Sequence, residues 1–219
     1  MKKVLFACLI TSLLFGESKT HDVSAAASPL SLSANFKILG FEIEKSSLKE
    51  IRLKLGSARK FETSHNEQAE ESICYVSASD NMTAIEFRTG LAGGGKDLIG
   101  FKVSSLAYEP IRSKCSKSPV FDPMVTESGL KLWMGKADII ARFGKPIASS
   151  EGDLTYRWEE TRKLGPEELK AYKKKLKASK KAAPSVEAEN IEIPVVTLME
   201  FHFESSKLVS FAIYRTETI

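Results

Sequence analysis

Histidine is too sparse in this chain to build a metal centre. The three that occur, His21, His65 and His202, share no ligand spacing with one another or with cysteine, so no zinc site is read. Cysteine is equally scarce at three, and Cys8 lies in the apolar N-terminal run. The remaining pair, Cys74 and Cys115, has no histidine nearby in sequence to activate a thiolate, and an even pair in an oxidising compartment is expected to be bridged. A Gly-x-Ser-x-Gly elbow is missing, which removes the usual sequence signature of an α/β-hydrolase nucleophile. The nearest approach to a nucleotide motif is Gly90-Leu91-Ala92-Gly93-Gly94-Gly95-Lys96-Asp97. There Asp97 stands where a Ser or Thr hydroxyl would hold magnesium, and residues 98–103 alternate as a strand instead of opening a helix. A loop between strands is the expected reading. Paired carboxylates at Glu70-Glu71 and Glu159-Glu160 sit in polar stretches with nothing to raise one pKa. No catalytic, cofactor-binding or metal-ligating set emerges.

Long apolar runs are also absent after the first residues. Lys2 and Lys3 precede an apolar run at 4–15 interrupted only by Thr11 and Ser12, the pattern of a signal-peptide core. It is shorter than the roughly 20 residues a spanning helix needs. Cleavage is expected after Ser18 or Ala27, giving a leader within residues 1–27 and a periplasmic or secreted chain. Leu5-Phe6-Ala7-Cys8 has the outline of a lipid-attachment box, but seven more residues of the apolar run follow Cys8, which argues against lipidation. The formal charge of +4 is unevenly spread. Residues 162–181 hold nine Lys or Arg against two Glu, a local +7, and the rest of the chain is net −3.

What the chain does have is internal repetition. Gly40-Phe41-Glu42-Ile43 matches Gly129-Leu130-Lys131-Leu132, and each alternates as a strand. A short helix is expected after both. Ser47-Leu48-Lys49-Glu50 reads as a capping box, with Leu48, Ile51 and Leu55 on one face and Gly56 as the stop. The second helix, residues 136–143, carries Ile139, Ile140 and Phe143, then stops at Gly144 with Pro146 beyond. Three further strand matches follow: Ile73-Cys74-Tyr75 with Leu154-Thr155-Tyr156, Ile85-Glu86-Phe87 with Met199-Glu200-Phe201, and residues 99–103 with 209–213. Period-two alternation predicts an antiparallel sheet with one packed face and one wet face. The expected fold is therefore α+β: two tandem repeats, each a short helix on a small antiparallel sheet, joined side by side. The boundaries read as 36–108 and 128–217, with a linker at 109–127 and a basic helical insertion at 160–194.

This pattern resembles the small helix-plus-sheet repeat of the beta-lactamase inhibitory protein and of outer-membrane-assembly lipoproteins of the SmpA/OmlA (BamE) type. Phe143-Gly144-Lys145-Pro146 and Tyr156-Arg157-Trp158 fit the helix stop and aromatic strand of those families, while Leu55-Gly56-Ser57-Ala58 lacks the proline. The resemblance implies protein binding through the sheet, at places that differ from family to family.

Two surfaces are candidates for that role. If Met199, Phe201, Phe203, Phe211 and Ile213 face the core, then Glu200, His202, Ala212 and Tyr214 face away, joined by Arg157, Glu86, Arg88 and Lys102. The candidate binding face is thus Arg88, Lys102, Arg157, His202 and Tyr214. The second surface is the insertion, where Gly165-Pro166-Glu167-Glu168 opens a helix with a thin stripe of Leu169, Tyr172 and Leu176. Its basic arm is Lys170, Lys173, Lys174, Lys175, Lys177, Lys180 and Lys181, suited to an anionic envelope component. No aromatic residues interleave the basic run as a nucleic-acid site would require. The sequence thus predicts an exported, non-enzymatic binding or scaffolding protein of the bacterial envelope or secretome, without a cofactor and without nucleic acid. The alternatives are an inhibitor of a secreted enzyme and a hydrolase whose site is assembled between the two repeats.

Overall fold

Alternation decides most of this chain: where apolar residues recur every second position, the backbone pairs as strand, and where they recur at three and four it winds as helix. The computed structural model describes residues 32–65, 68–77, 82–90, 97–107, 115–118, 124–178 and 191–217, with side chains left aside at 63–65, 68–69 and 175–178. The expected leader at 1–27 with Cys8, the glycine-rich loop at 91–96 and Lys180 and Lys181 lie outside the described residues. In chain order the elements begin with β1 (Lys37–Ile38), β2 (Phe41–Glu42), α1 (Leu48–Leu55), β3 (Lys60–His65) and β4 (Gln68–Ser77). They continue with β5 (Thr83–Gly90), β6 (Leu98–Ser105), β7 (Ser116–Ser118), α2 (Lys136–Phe143) and β8 (Ala148–Ser149). The last are β9 (Asp153–Lys163), α3 (Pro166–Ala178), β10 (Glu192–Glu204) and β11 (Lys207–Glu217).

The fold is α+β, dominated by one large antiparallel sheet of order β3-β4-β5-β6-β11-β10-β9-β8. The short β7 runs parallel to the end of β4 that β3 does not reach. The two parts of the chain meet at β6 and β11, where Lys102 stands opposite Ala212 and Phe101 opposite Ile213. Both short helices turn their apolar faces to the sheet. Leu48, Ile51 and Leu55 of α1 and Ile139 and Phe143 of α2 enter the same buried cluster as Ile85, Phe87, Phe101, Phe201, Phe211 and Ile213. The predicted capping box forms, with Ser47 N donating to Glu50 Oε2 at 2.8 Å and Glu50 N to Ser47 Oγ at 3.3 Å. At α2 the N-cap is Gly135, and its N–H donates to Asp138 Oδ2 at 3.0 Å.

The ends of the helices are pinned from the sheet. Tyr75 Oη donates to the Gly56 carbonyl at 2.7 Å, and Tyr156 Oη to the Gly144 carbonyl at 3.0 Å. Both phenols are pushed up to about 12 by burial. Tyr156 also stacks on Trp158 with centroids 5.6 Å apart.

Four sequence expectations change. Residues 129–132 do not form a strand: Gly129 and Trp133 have positive φ at 84° and 69°, so the segment turns while still burying Leu130 and Leu132. Of residues 40–43 only Phe41 and Glu42 pair, with β1. The predicted linker at 109–127 contributes β7 to the sheet and carries Cys115. Finally, the sheet invades the insertion. Glu192 pairs with Lys163, so β9 and β10 extend as a hairpin and α3 sits beyond its tip. No helix among the described residues is long and apolar enough to cross a membrane.

Candidate functional site

The face of the sheet turned away from α1 and α2 is built by register. Strand pairing aligns Arg88, Gly100, Tyr214, Leu198 and Arg157 in one cross-strand row. The next row is Glu86, Lys102, Ala212, Glu200 and Thr155, and the one after it Ala84, Ser104, Ser210, His202 and Asp153. All five residues of the predicted face, Arg88, Lys102, Arg157, His202 and Tyr214, therefore lie in three adjacent rows on one surface.

Gly100 gives this surface its shape. A Cβ there would meet Ile213 O and Tyr214 Cδ1 at 2.4 Å, so the tyrosine ring lies across the bare backbone of β6. From that position it reaches Arg88, whose guanidinium carbon is 5.5 Å from the ring centroid. Arg88 is held in turn by Glu86, with its Nε and Nη2 at 3.2 and 3.1 Å from the two carboxylate oxygens. Burial pushes the Tyr214 phenol up to about 12, against the pull of Arg88. The centre of the face thus presents a protonated phenol and a charge-paired guanidinium, groups suited to stacking and hydrogen bonding.

At the rim, His202 Nδ1 and Asp153 Oδ1 are 2.6 Å apart, and Ser150 Oγ donates to Asp153 Oδ2 at 3.0 Å. The contact with His202 holds the Asp153 carboxyl below its ordinary range. Ser210 follows in the same row, which orders a carboxylate, an imidazole and a hydroxyl across three strands. Ser210 is only 3% exposed, however, so an approaching substrate would not meet its hydroxyl.

The open face is not uniform. At the β4–β5 end, Cys74, Val76 and Ala84 are buried beneath Phe61, Leu106 and Cys115. The Cys74 and Cys115 sulfurs stand at disulfide distance with Cα atoms 4.6 Å apart, as the cysteine count predicts. The β9–β10 end has no such cover among the described residues. Glu200 and Arg157 are exposed, and Thr155, Leu198, His202 and Tyr214 are half-buried.

On the opposite side, beyond the core, lies a charge network that reading the sequence did not find. Arg215 is almost buried, its Nε 2.8 Å from Glu44 and one terminal nitrogen 2.5 Å from Glu160, above the Phe36 ring. Burial raises the Glu44 carboxyl, against the stabilising charge of Arg215. Arg162 contacts Glu217 and grips Glu168 with two nitrogens at 2.8 and 2.7 Å. Glu168 also accepts from Gly165 N at 2.7 Å, so the first turn of α3 is tied to the sheet, and its carboxyl is held low by Arg162. The signal available in the sequence was phase. Arg215 follows Phe211 and Ile213, and Arg162 follows Tyr156 and Trp158, each in the core-facing register.

Along α3, Leu169 and Tyr172 are half-buried, while Lys170, Lys173 and Lys174 are exposed. Lys175 and Lys177 lie in the same helix, their side chains outside the description. Set against protein-family models, curated proteins and solved structures, the chain matches none of them.

Proposed function

We propose that this chain is an exported, non-enzymatic binding protein of the bacterial envelope, made of two copies of one α+β unit, and that it receives a protein partner on its open sheet face. Bonds that recur in both halves support the duplication. Tyr75 and Tyr156 pin helix-stop glycines alike, and Lys54 Nζ and Arg142 Nη1 donate to the Leu39 and Ser128 carbonyls at 2.9 and 2.8 Å. Glu44 N donates to Leu98 O at 2.7 Å, and Trp133 N to Leu208 O at 2.8 Å. In the register of the β6–β11 seam, each half presents the same strand to the other. The likeness to the inhibitory-protein and SmpA/OmlA repeats rests on the same helix stops and aromatic strands. Export is supported by the leader-like N-terminus and by a cysteine pair that bonds readily only outside the cytosol.

The observation that carries the binding role is the Arg88, Tyr214, Leu198 and Arg157 row, half-buried or exposed among the described residues, while Cys74, Val76 and Ala84 on the same face are buried. Aromatic and arginine anchors in a pre-shaped polar surround are what protein interfaces concentrate. A photo-crosslinking side chain placed at Glu200 in producing cells is expected to capture one discrete protein, and the same group at Lys49 on α1 none. Equal capture at both positions, or none at Glu200, would overturn the reading.

A further inference from the structure

The lysines of α3 are ordered along the helix. Lys170, Lys173 and Lys174 stand at i, i+3 and i+4, a spacing that continues in sequence at Lys177. Such positions share one helix face, with Cβ atoms about 5–6 Å apart, where like charges repel and weaken the helix. Glutamates at neighbouring turns would relieve that repulsion, yet Glu167, one turn before Lys170, is exposed and forms no ion pair among the described residues, and the other acids near the helix are engaged elsewhere. Glu168 and Glu217 are held by Arg162, and Glu160 by Arg215. Lys170, Lys173 and Lys174 are exposed and form no ion pair among the described residues. The only arginine of the basic segment, Arg162, is turned inward, so lysine alone is presented outward.

That choice of cation points to a kind of partner. A guanidinium fork suits fixed carboxylates on a folded surface, whereas ammonium groups act as hydrated point charges that need no set geometry. A field of mobile phosphates meets them equally well. The apolar stripe of α3 is already half-covered by its own protein at Leu169 and Tyr172, so the contact would rest on charge at headgroup level without insertion. We propose that α3 docks on an anionic phospholipid surface through Lys170, Lys173 and Lys174, held in position by the Arg162–Glu168 clamp. This stands independently of the open-face reading, since it uses another element on another side.

Co-sedimentation of the full chain with vesicles tests it. Binding is expected on phosphatidylglycerol-containing vesicles, weakening steeply as salt shortens the Debye length, and not on pure phosphatidylcholine. The triple Lys170→Gln, Lys173→Gln, Lys174→Gln variant should bind on the order of 100-fold more weakly, about fivefold per lysine. Glutamine is a good helix former, so circular dichroism should be unchanged, and the triple Lys→Arg variant should bind like the parent. Equal retention on neutral vesicles, parental binding by the glutamine variant, or loss of binding in the arginine variant would each overturn the proposal. So would tighter binding to soluble polyglutamate than to the vesicles in the same salt, which would assign the helix to an acidic protein.

Discussion

Two tyrosines show how much one hydroxyl can hold. Tyr75 and Tyr156 each satisfy the carbonyl of a helix-stop glycine, a group that would otherwise lie half-buried without a partner. Tyr75→Phe and Tyr156→Phe should each cost about 1–2 kcal/mol in urea unfolding, of similar size because the two bonds are alike. Both phenols have folded values near 12, above the unfolded value near 10. Their contribution is therefore whole below about pH 10 and lost as pH rises towards 12, and each phenylalanine variant should show a smaller alkaline loss. Arg215 makes the opposite demand. Arg215→Met frees Glu44 and Glu160, both partly exposed to water, and should cost about 1–2 kcal/mol at neutral pH. Glu44 is raised by burial, so its ionised form is the penalised one. Stability is greatest below its unfolded pKa and falls as pH rises through the folded value. Without Arg215 that fall steepens, and the variant should recover part of its loss in acid; a loss independent of pH would refute this account. The tyrosines were legible as aromatic strand positions, but their glycine partners lie 19 and 12 residues away, and the Glu44–Arg215 contact crosses nearly the whole chain.

Among the elements, those with a strong period were readable and those without were not. Both short helices and the central strands follow their apolar spacing and stop at Gly56 and Gly144, each with positive φ. Edge strands carry little such signal. β3, β7 and β8 are short or polar because an edge has one partner and water on its other side, and charged residues there discourage further pairing. Residues 129–132 misled in the opposite direction: their alternation buries Leu130 and Leu132 as a strand would, but the backbone turns at Gly129 and Trp133 and forms no strand ladder. The grouping of Arg88, Lys102, Arg157, His202 and Tyr214 on one face was recoverable because period two places alternate residues on one side whatever the loops do. The helix in the insertion was readable from its start signals, while its anchor was hidden in Arg162. Arg162→Gln should release Glu168 and loosen the first turn of α3, at a cost of about 1 kcal/mol given the partly exposed site. Hydrogen exchange at amides 167–170 should quicken about fivefold, with the sheet unaffected.

For the molecule as a whole, one buried cluster takes in residues from both halves, so the two should unfold together. The cysteine pair ties β4 of the first half to the segment that leads into β7, and both tryptophans, Trp133 and Trp158, lie in the second half. Opening a crosslink with a sequence separation of 41 should lower stability by about 4 kcal/mol on the chain-entropy account. Added reductant should therefore shift tryptophan fluorescence and far-ultraviolet dichroism to the same lower midpoint. A tryptophan transition that ignores the reductant would mean the halves are separate folding units. The seam between them has a consequence for behaviour at high concentration. If β11 peeled away, β6 would offer a bare ladder to the β6 of a neighbouring molecule. In the register that sets Lys102 opposite Ala212, such an exchange would bring two copies of Lys102 face to face, and like charges directly across a ladder disfavour pairing. Alanine on β11 meets that lysine without conflict, so the correct strand within the chain is favoured over the identical strand of a stranger, and the joint guards itself against swapping.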